Sequence, residues 1–108
     1  MEKIVKTLKY NNLLSIYKEL LSTTQREVLE SYFCYDLSLS EIASERDISR
    51  AAVEDALQKG IQKLEEFEGK LHILENNTEI LKIAAKIREN SANSALFKDI
   101  DEIERRLK

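Results

Sequence analysis

The side chains in this sequence best suited to chemistry are few. There is one histidine, His72, and one cysteine, Cys34, while 20 Asp and Glu face 17 Lys and Arg over 108 residues. A structural zinc site takes four ligands drawn mainly from Cys and His, and His72 has no such companion. A lone cysteine forms no internal disulfide, which fits a reducing cytoplasm; its residue type reads as a small buried apolar group. No Ser–His–Asp grouping and no Gly-rich phosphate loop is present. The acids lie along amphipathic stretches as solvated faces, with no pair set apart for acid–base work. The expectation is a protein without catalytic residues, metal ligands or a cofactor, whose function is binding.

The binding chemistry concentrates in residues 49–59. Ser49, Arg50, Ala51, Glu54, Asp55, Gln58 and Lys59 share the outward face of one helix and form the candidate partner or nucleic-acid face. Arg50 and Gln58 have the donor geometry for guanine and adenine edges. Glu54 and Asp55 oppose that use, because a carboxylate within about 5 Å of a phosphate costs roughly 1 kcal/mol even at high effective dielectric. Asp55 and Lys59 are spaced i, i+4 and suit an ion pair within the helix. The net charge is −3, and the only end that is net basic is the N-terminal segment. Lys3, Lys6 and Lys9 there are the candidate RNA-contacting basic end, since phosphate neutralisation supplies most non-specific affinity for nucleic acid. Tyr32, Phe33 and Tyr35 resemble a base-stacking platform, but at helical spacing they read as core.

The elements that must carry these residues are helical. The chain has no Pro and only two Gly, and Ile, Leu, Lys and Glu dominate. Tyr10, Leu13, Leu14, Tyr17, Leu20 and Leu21 mark one face of a first helix, from about Glu2 to Leu20. Ser22 and Gln25 have capping-box spacing and open a second helix running to about Tyr35. Ser38 and Glu41 repeat that signal and open a third, Leu39 to Arg46. A corner at Asp47 requires a residue tolerant of the left-handed region, which Asp is. Ser49 then caps a fourth helix. A small residue at the helix crossing, Ala43, and apolar Ile42, Ile48, Val53 and Ala56 complete a helix-turn-helix. Arg46 stands where Leu is common.

Beyond the corner, Leu57, Leu64, Phe67, Leu71, Leu74 and Leu81 follow a heptad spacing and form a candidate helix-packing seam, compatible with homodimerisation. Asn76 and Glu79 have capping-box spacing and could cap a new helix, so the seam belongs either to one long helix or to two with a bend at Asn76; the sequence leaves both open. The sequence "NSANSA", 90–95, reads as a loop, with Ser94 capping a last amphipathic helix. The expected architecture is all-α: a helical bundle containing a wingless helix-turn-helix, with long C-terminal helices. Residues 1–66 form the helix-turn-helix core with its N-terminal helix, and 67–108 a helical extension of the same single domain. No apolar run is long enough to cross a bilayer, and the first eight residues carry charge rather than a signal-peptide pattern.

Leu20 to Glu68 resembles the YlxM family of small bacterial helix-turn-helix proteins. The residues that carry the resemblance are Leu21-Ser22-x-x-Gln25, Tyr32-Phe33 and Asp36-x-Ser38-Leu39-x-Glu41-Ile42-Ala43. It continues in Ile48-Ser49-Arg50-x-Ala52-Val53 and Leu64-Glu65-x-x-Glu68-x-x-Leu71. Residues 20–60 are also similar to DNA-reading region 4 of bacterial sigma factors. Asp47 and the Glu54-Asp55 step depart from that second pattern. The resemblance implies a cytoplasmic accessory protein of the signal recognition particle pathway, contacting the particle's GTPase, its RNA or both. A helix-turn-helix transcriptional regulator that binds DNA is the alternative reading.

Overall fold

The computed structural model describes residues 2–90 and 95–107. Six α-helices and no strand occur among them, so the helix-turn-helix carries no wing within the described residues. The helices are α1 (Glu2–Tyr17), α2 (Thr23–Leu29), α3 (Leu39–Arg46), α4 (Arg50–Leu71), α5 (Ile73–Asn90) and α6 (Ala95–Leu107). They fall into two compact units, Met1–Leu71 and His72–Lys108.

In the first unit the helix starts follow the capping signals. Ser22 Oγ accepts the Gln25 N–H while the Gln25 side chain accepts the Ser22 N–H, at 3.2 and 3.3 Å. Ser38 and Glu41 make the same reciprocal pair at 3.1 and 3.2 Å. Ser49 Oγ accepts the Ala52 N–H at 3.0 Å. Each cap satisfies donors that the first turn of a helix leaves unpaired, which fixes where the helix begins.

The helix ends use left-handed residues other than glycine. α1 tightens into a 3₁₀ turn over Lys18–Leu20. α2 widens into a π-helical turn over Glu30–Cys34, and the Tyr35 N–H reaches the Glu30 carbonyl at 3.1 Å. Asp36, Asp47 and His72 then adopt φ of 55°, 54° and 54°. At Asp47 the Ile48 N–H donates to the Ala43 carbonyl at 3.1 Å and the Asp47 N–H to the Ser44 carbonyl at 3.4 Å. These two bonds are a Schellman motif, with Asp in the place Gly usually takes.

The core of this unit is built from Leu13, Leu14 and Tyr17 of α1, Val28 and Leu29 of α2, Ile42 of α3, and Val53, Leu57 and Leu64 of α4, all buried. Ala43 is buried in α3, and Phe33 is buried within the π turn. Gly60 is buried too. A Cβ there would lie 2.6 Å from Leu29 Cδ1, so the missing side chain lets α2 and α4 approach closely.

Three expectations are corrected here. Ile48, expected in the apolar interface, is exposed: its backbone closes the corner while its side chain stays outside the core. Cys34 is exposed rather than buried. It lies one residue past Phe33, turned from the face that Val28, Leu29 and Phe33 share, so position outweighs residue type. Tyr35 of the aromatic cluster is 70% exposed, whereas Phe33 is core and meets Tyr32 edge-on at 5.0 Å.

In the second unit α5 and α6 form a helical hairpin. Ala84 and Ile100 are its buried residues. Arg88 of α5 reaches Asp101 and, at 3.3 Å, Glu104 of α6, and its guanidinium stands 5.3 Å from the Phe97 ring centroid. The seam belongs to two helices, but the new one does not start at Asn76: Asn76 lies inside α5 and donates its N–H to the His72 carbonyl at 2.9 Å. His72 is the break, its left-handed backbone ending α4, with Nδ1 3.0 Å from Glu75 Oε2. The single heptad seam therefore divides between two helices. Leu57 and Leu64 are core of the first unit, and the Phe67 ring lies tilted by 41° against Tyr17, centroids 5.9 Å apart. Leu71 is exposed, and Leu74 and Leu81 lie half-buried on α5. The expected loop at 90–95 and the Ser94 cap fall on residues 91–94, outside the described residues.

Candidate functional site

α4 begins at Arg50, directly after the Ser49 cap. Val53 and Leu57 anchor its first turns inward, and helical periodicity then directs their other residues outward. Ser49, Arg50, Ala51, Glu54, Asp55, Gln58 and Lys59 are all exposed. The structure thus brings every residue of the candidate face onto one contiguous surface of the helix-turn-helix.

The charges on that surface are mixed. Lys59 Nζ lies 3.1 Å from Asp55 Oδ2, so the one lysine on the face is occupied by its neighbouring acid. Glu54 makes no ion pair among the described residues. Arg50, at the very start of α4, stands apart as the cation best placed to reach outward. A helix N-terminus favours anions. Here that preference meets an acidic step one turn into the helix.

The basic end lies on a different helix from the α4 face. Lys6 and Lys9 lie on α1 and are exposed; the Lys3 side chain lies outside the described residues. Lys9 is tied into the fold, its Nζ 2.9 Å from Glu65 Oε1 on α4. The Tyr10 hydroxyl donates to the same oxygen at 3.0 Å. Lys9 and Tyr10 hold the Glu65 carboxyl below its ordinary range, and Glu65 in turn raises Lys9. Tyr10 is raised by burial first and by Glu65 second. One turn along, the buried Tyr17 hydroxyl donates to Glu68 Oε1 at 2.6 Å. Two Tyr–Glu contacts therefore pin α1 along α4, a brace that i, i+3 and i, i+4 patterns within single helices do not disclose.

Arg46 and Glu27 form a second brace. The Arg46 guanidinium pairs with Glu27 on α2 and holds that carboxyl below its ordinary range. The Arg found where Leu is common therefore ties the helix-turn-helix to the preceding helix. Cys34 lines a shallow depression of about 250 Å³ together with Asn11, Leu14, Ser15, Lys18, Glu30 and Tyr35. Its thiol reaches Asn11 Oδ1 at 3.2 Å and is raised by desolvation and by Glu30. A thiol held protonated is a poor nucleophile at neutral pH. Among the described residues no three His, Cys, Asp or Glu converge to hold a metal, and no helix is long and apolar enough to cross a membrane.

Comparison with known proteins adds a family. Residues 4–103 match the model of UPF0122, described as a helix-turn-helix protein, YlxM / p13 like. The chain is 40% identical over 92 residues to a UPF0122 protein of Mycoplasma mycoides, covering 85% of this chain and 81% of that one. It is 39% identical over 92 residues to one of Fusobacterium nucleatum, covering 85% and 89%. With one of Halalkalibacterium halodurans it shares 39% identity over 106 residues, covering 92% of this chain and 97% of the relative.

Proposed function

The chain belongs to the UPF0122 family of YlxM / p13-like helix-turn-helix proteins, and from that premise we propose that it is a binding module of the signal recognition particle pathway, contacting the particle's GTPase, its RNA or both. The observation that carries this reading is the electrostatic character of the α4 face. Asp55 occupies Lys59 and Glu54 stands exposed, so the surface that would enter a DNA groove is better suited to a basic protein surface. Particle RNA is the alternative contact, approached through Lys3, Lys6 and Lys9, of which Lys9 is shared with Glu65. On this reading the protein works in the cytoplasm, as an accessory factor rather than an enzyme.

The test is binding of the purified chain to the particle's GTPase and, separately, to its RNA at low salt. At least one is expected to bind. Glu54→Lys combined with Asp55→Lys should weaken GTPase binding, and Lys6→Glu should weaken RNA binding. Failure to bind either component overturns the proposal.

A second reading, a sequence-specific DNA-binding regulator, is favoured by one observation: the corner is intact, with Asp47 left-handed and Arg50 exposed at the start of α4. Selection from a random duplex library tests it. An enriched site whose binding is lost on Arg50→Ala supports regulation; no enrichment removes it.

A further inference from the structure

The depression that Cys34 lines gathers a cation, a carboxylate, an amide and an aromatic ring. α1 contributes Asn11 and the 3₁₀ turn Lys18, while the π turn and the residue after it contribute Glu30, Cys34 and Tyr35. The Tyr35 ring is 70% exposed and meets no other ring and no cation among the described residues. Burial first and then Glu30 raise the Cys34 thiol, and Lys18 lowers it, so both charges lie close to the same sulfur. Yet Lys18 and Glu30 form no ion pair among the described residues. The thiol donates to Asn11 Oδ1 at 3.2 Å, which orients the amide and leaves its NH₂ without a partner among those residues.

These groups select one kind of ligand. A carboxylate accepts hydrogen bonds and donates none. Guanine is the RNA base that presents two adjacent donors, N1–H and the N2 amino group, with the acceptor O6 beside them. Glu30 suits the donors, and the Asn11 NH₂ suits O6. Adenine and cytosine would set a ring-nitrogen lone pair against the carboxylate, and uracil a carbonyl oxygen on each side of its one donor. Tyr35 offers the kind of exposed ring on which unpaired bases stack. Lys18 supplies a charge for the phosphate, and Glu30, a like charge, is left to the base. The volume, about 250 Å³, lies below the usual range for drug-sized ligands and limits the occupant to something near the size of one base.

We propose that this depression binds an unpaired guanine nucleotide, free or within single-stranded RNA. Glu30 and Asn11 read its edge, Tyr35 stacks on its ring and Lys18 meets its phosphate. The inference is independent of the signal recognition particle reading, since none of these residues belongs to the α4 face or to the Lys3, Lys6 and Lys9 end.

Cys34, the one cysteine of the chain, is the reporter. The test is the rate at which the full chain reacts with a disulfide reagent in the presence of GMP, AMP, guanosine, or a short uridine oligomer with or without one guanosine. GMP and the guanosine-bearing oligomer should slow the reaction, and AMP and the all-uridine oligomer should not. Protection by the oligomer at lower concentration than GMP assigns the site to RNA, and the reverse assigns it to the free nucleotide. Tyr35→Ala should weaken binding by about tenfold, the loss of one stacking contact. Glu30→Gln should remove the preference for GMP over AMP, and Lys18→Ala the advantage of GMP over guanosine. None of the three is a core residue, and circular dichroism confirms that each variant folds. Absence of protection by either guanine ligand overturns the proposal. So does equal protection by AMP, or protection that Tyr35→Ala leaves unchanged. Protection by a free amino acid in place of GMP also overturns it and gives the depression to a zwitterion.

Discussion

Gly60 of α4 lies so close to Leu29 of α2 that a β-carbon on Gly60 would stand 2.6 Å from Leu29 Cδ1. Leu29 is fully buried, so a β-carbon on Gly60 would have to displace a core side chain. The absence of a side chain at residue 60 is therefore what sets the approach of the two helices. Gly69, on the same helix, has no atom within 4 Å of the equivalent position.

The two glycines should respond oppositely to alanine. Gly69→Ala gains helix propensity without a clash and should stabilise by about 0.5–1 kcal/mol. Gly60→Ala gains the same propensity but must displace Leu29, and overpacking of this kind costs roughly 1–3 kcal/mol, so the net change should be destabilising. Urea denaturation of the two variants checks the sign of each.

The left-handed corner gives a second pair. Asp47→Gly should be neutral or mildly stabilising, because glycine adopts φ of 54° without steric penalty. Asp47→Ala should cost about 1 kcal/mol, since a β-carbon in the left-handed region costs roughly 1–2 kcal/mol and Ala lacks the local hydrogen bonding of Asp. Thermal melts distinguish the outcomes. Because the corner orients α4, Asp47→Ala should also weaken whichever partner the α4 face engages.

The brace between α1 and α4 makes stability depend on pH at both ends. Glu65 is held below its ordinary 4.5 by Lys9 and then Tyr10, so its contribution is present above 4.5 and is lost as pH falls through the depressed value. Lys9 and Tyr10 are raised above 10.5 and 10.0, so theirs is present below those values and is lost as pH rises through the raised ones. Stability should plateau between and decline on each side. Glu65→Gln should flatten both limbs, by at most about 1 kcal/mol because the pair is partly solvated. Denaturation across the pH range in wild type and variant checks this.

Cys34 should be accessible but slow. The exposed thiol will react with a disulfide reagent in the folded protein, unlike a core cysteine. Burial of part of the group and the nearby Glu30 disfavour the thiolate, so its rate at neutral pH should fall below that of free cysteine. Glu30→Gln removes one of those influences and should raise the rate.

Much of the fold was legible in local pattern. The capping boxes at Ser22 and Ser38, the Ser49 cap and the corner at Asp47 are each settled within four or five consecutive residues. Local sequence therefore determined the helix starts and the helix-turn-helix, and the outward residues of α4 followed from its 3.6-residue period. Contacts between helices were not legible in that way. The link from Tyr10 to Glu65 spans 55 residues and that from Tyr17 to Glu68 spans 51. The role of Gly60 depends on Leu29, on another helix. The break at His72 was hidden because the heptad spacing runs through it unchanged, and periodicity does not register one residue turning left-handed. Sequence alone determined which residues could cap, turn and face outward; only the tertiary structure decided which charges were left to meet a partner, because pairing between distant helices is a matter of distance in space.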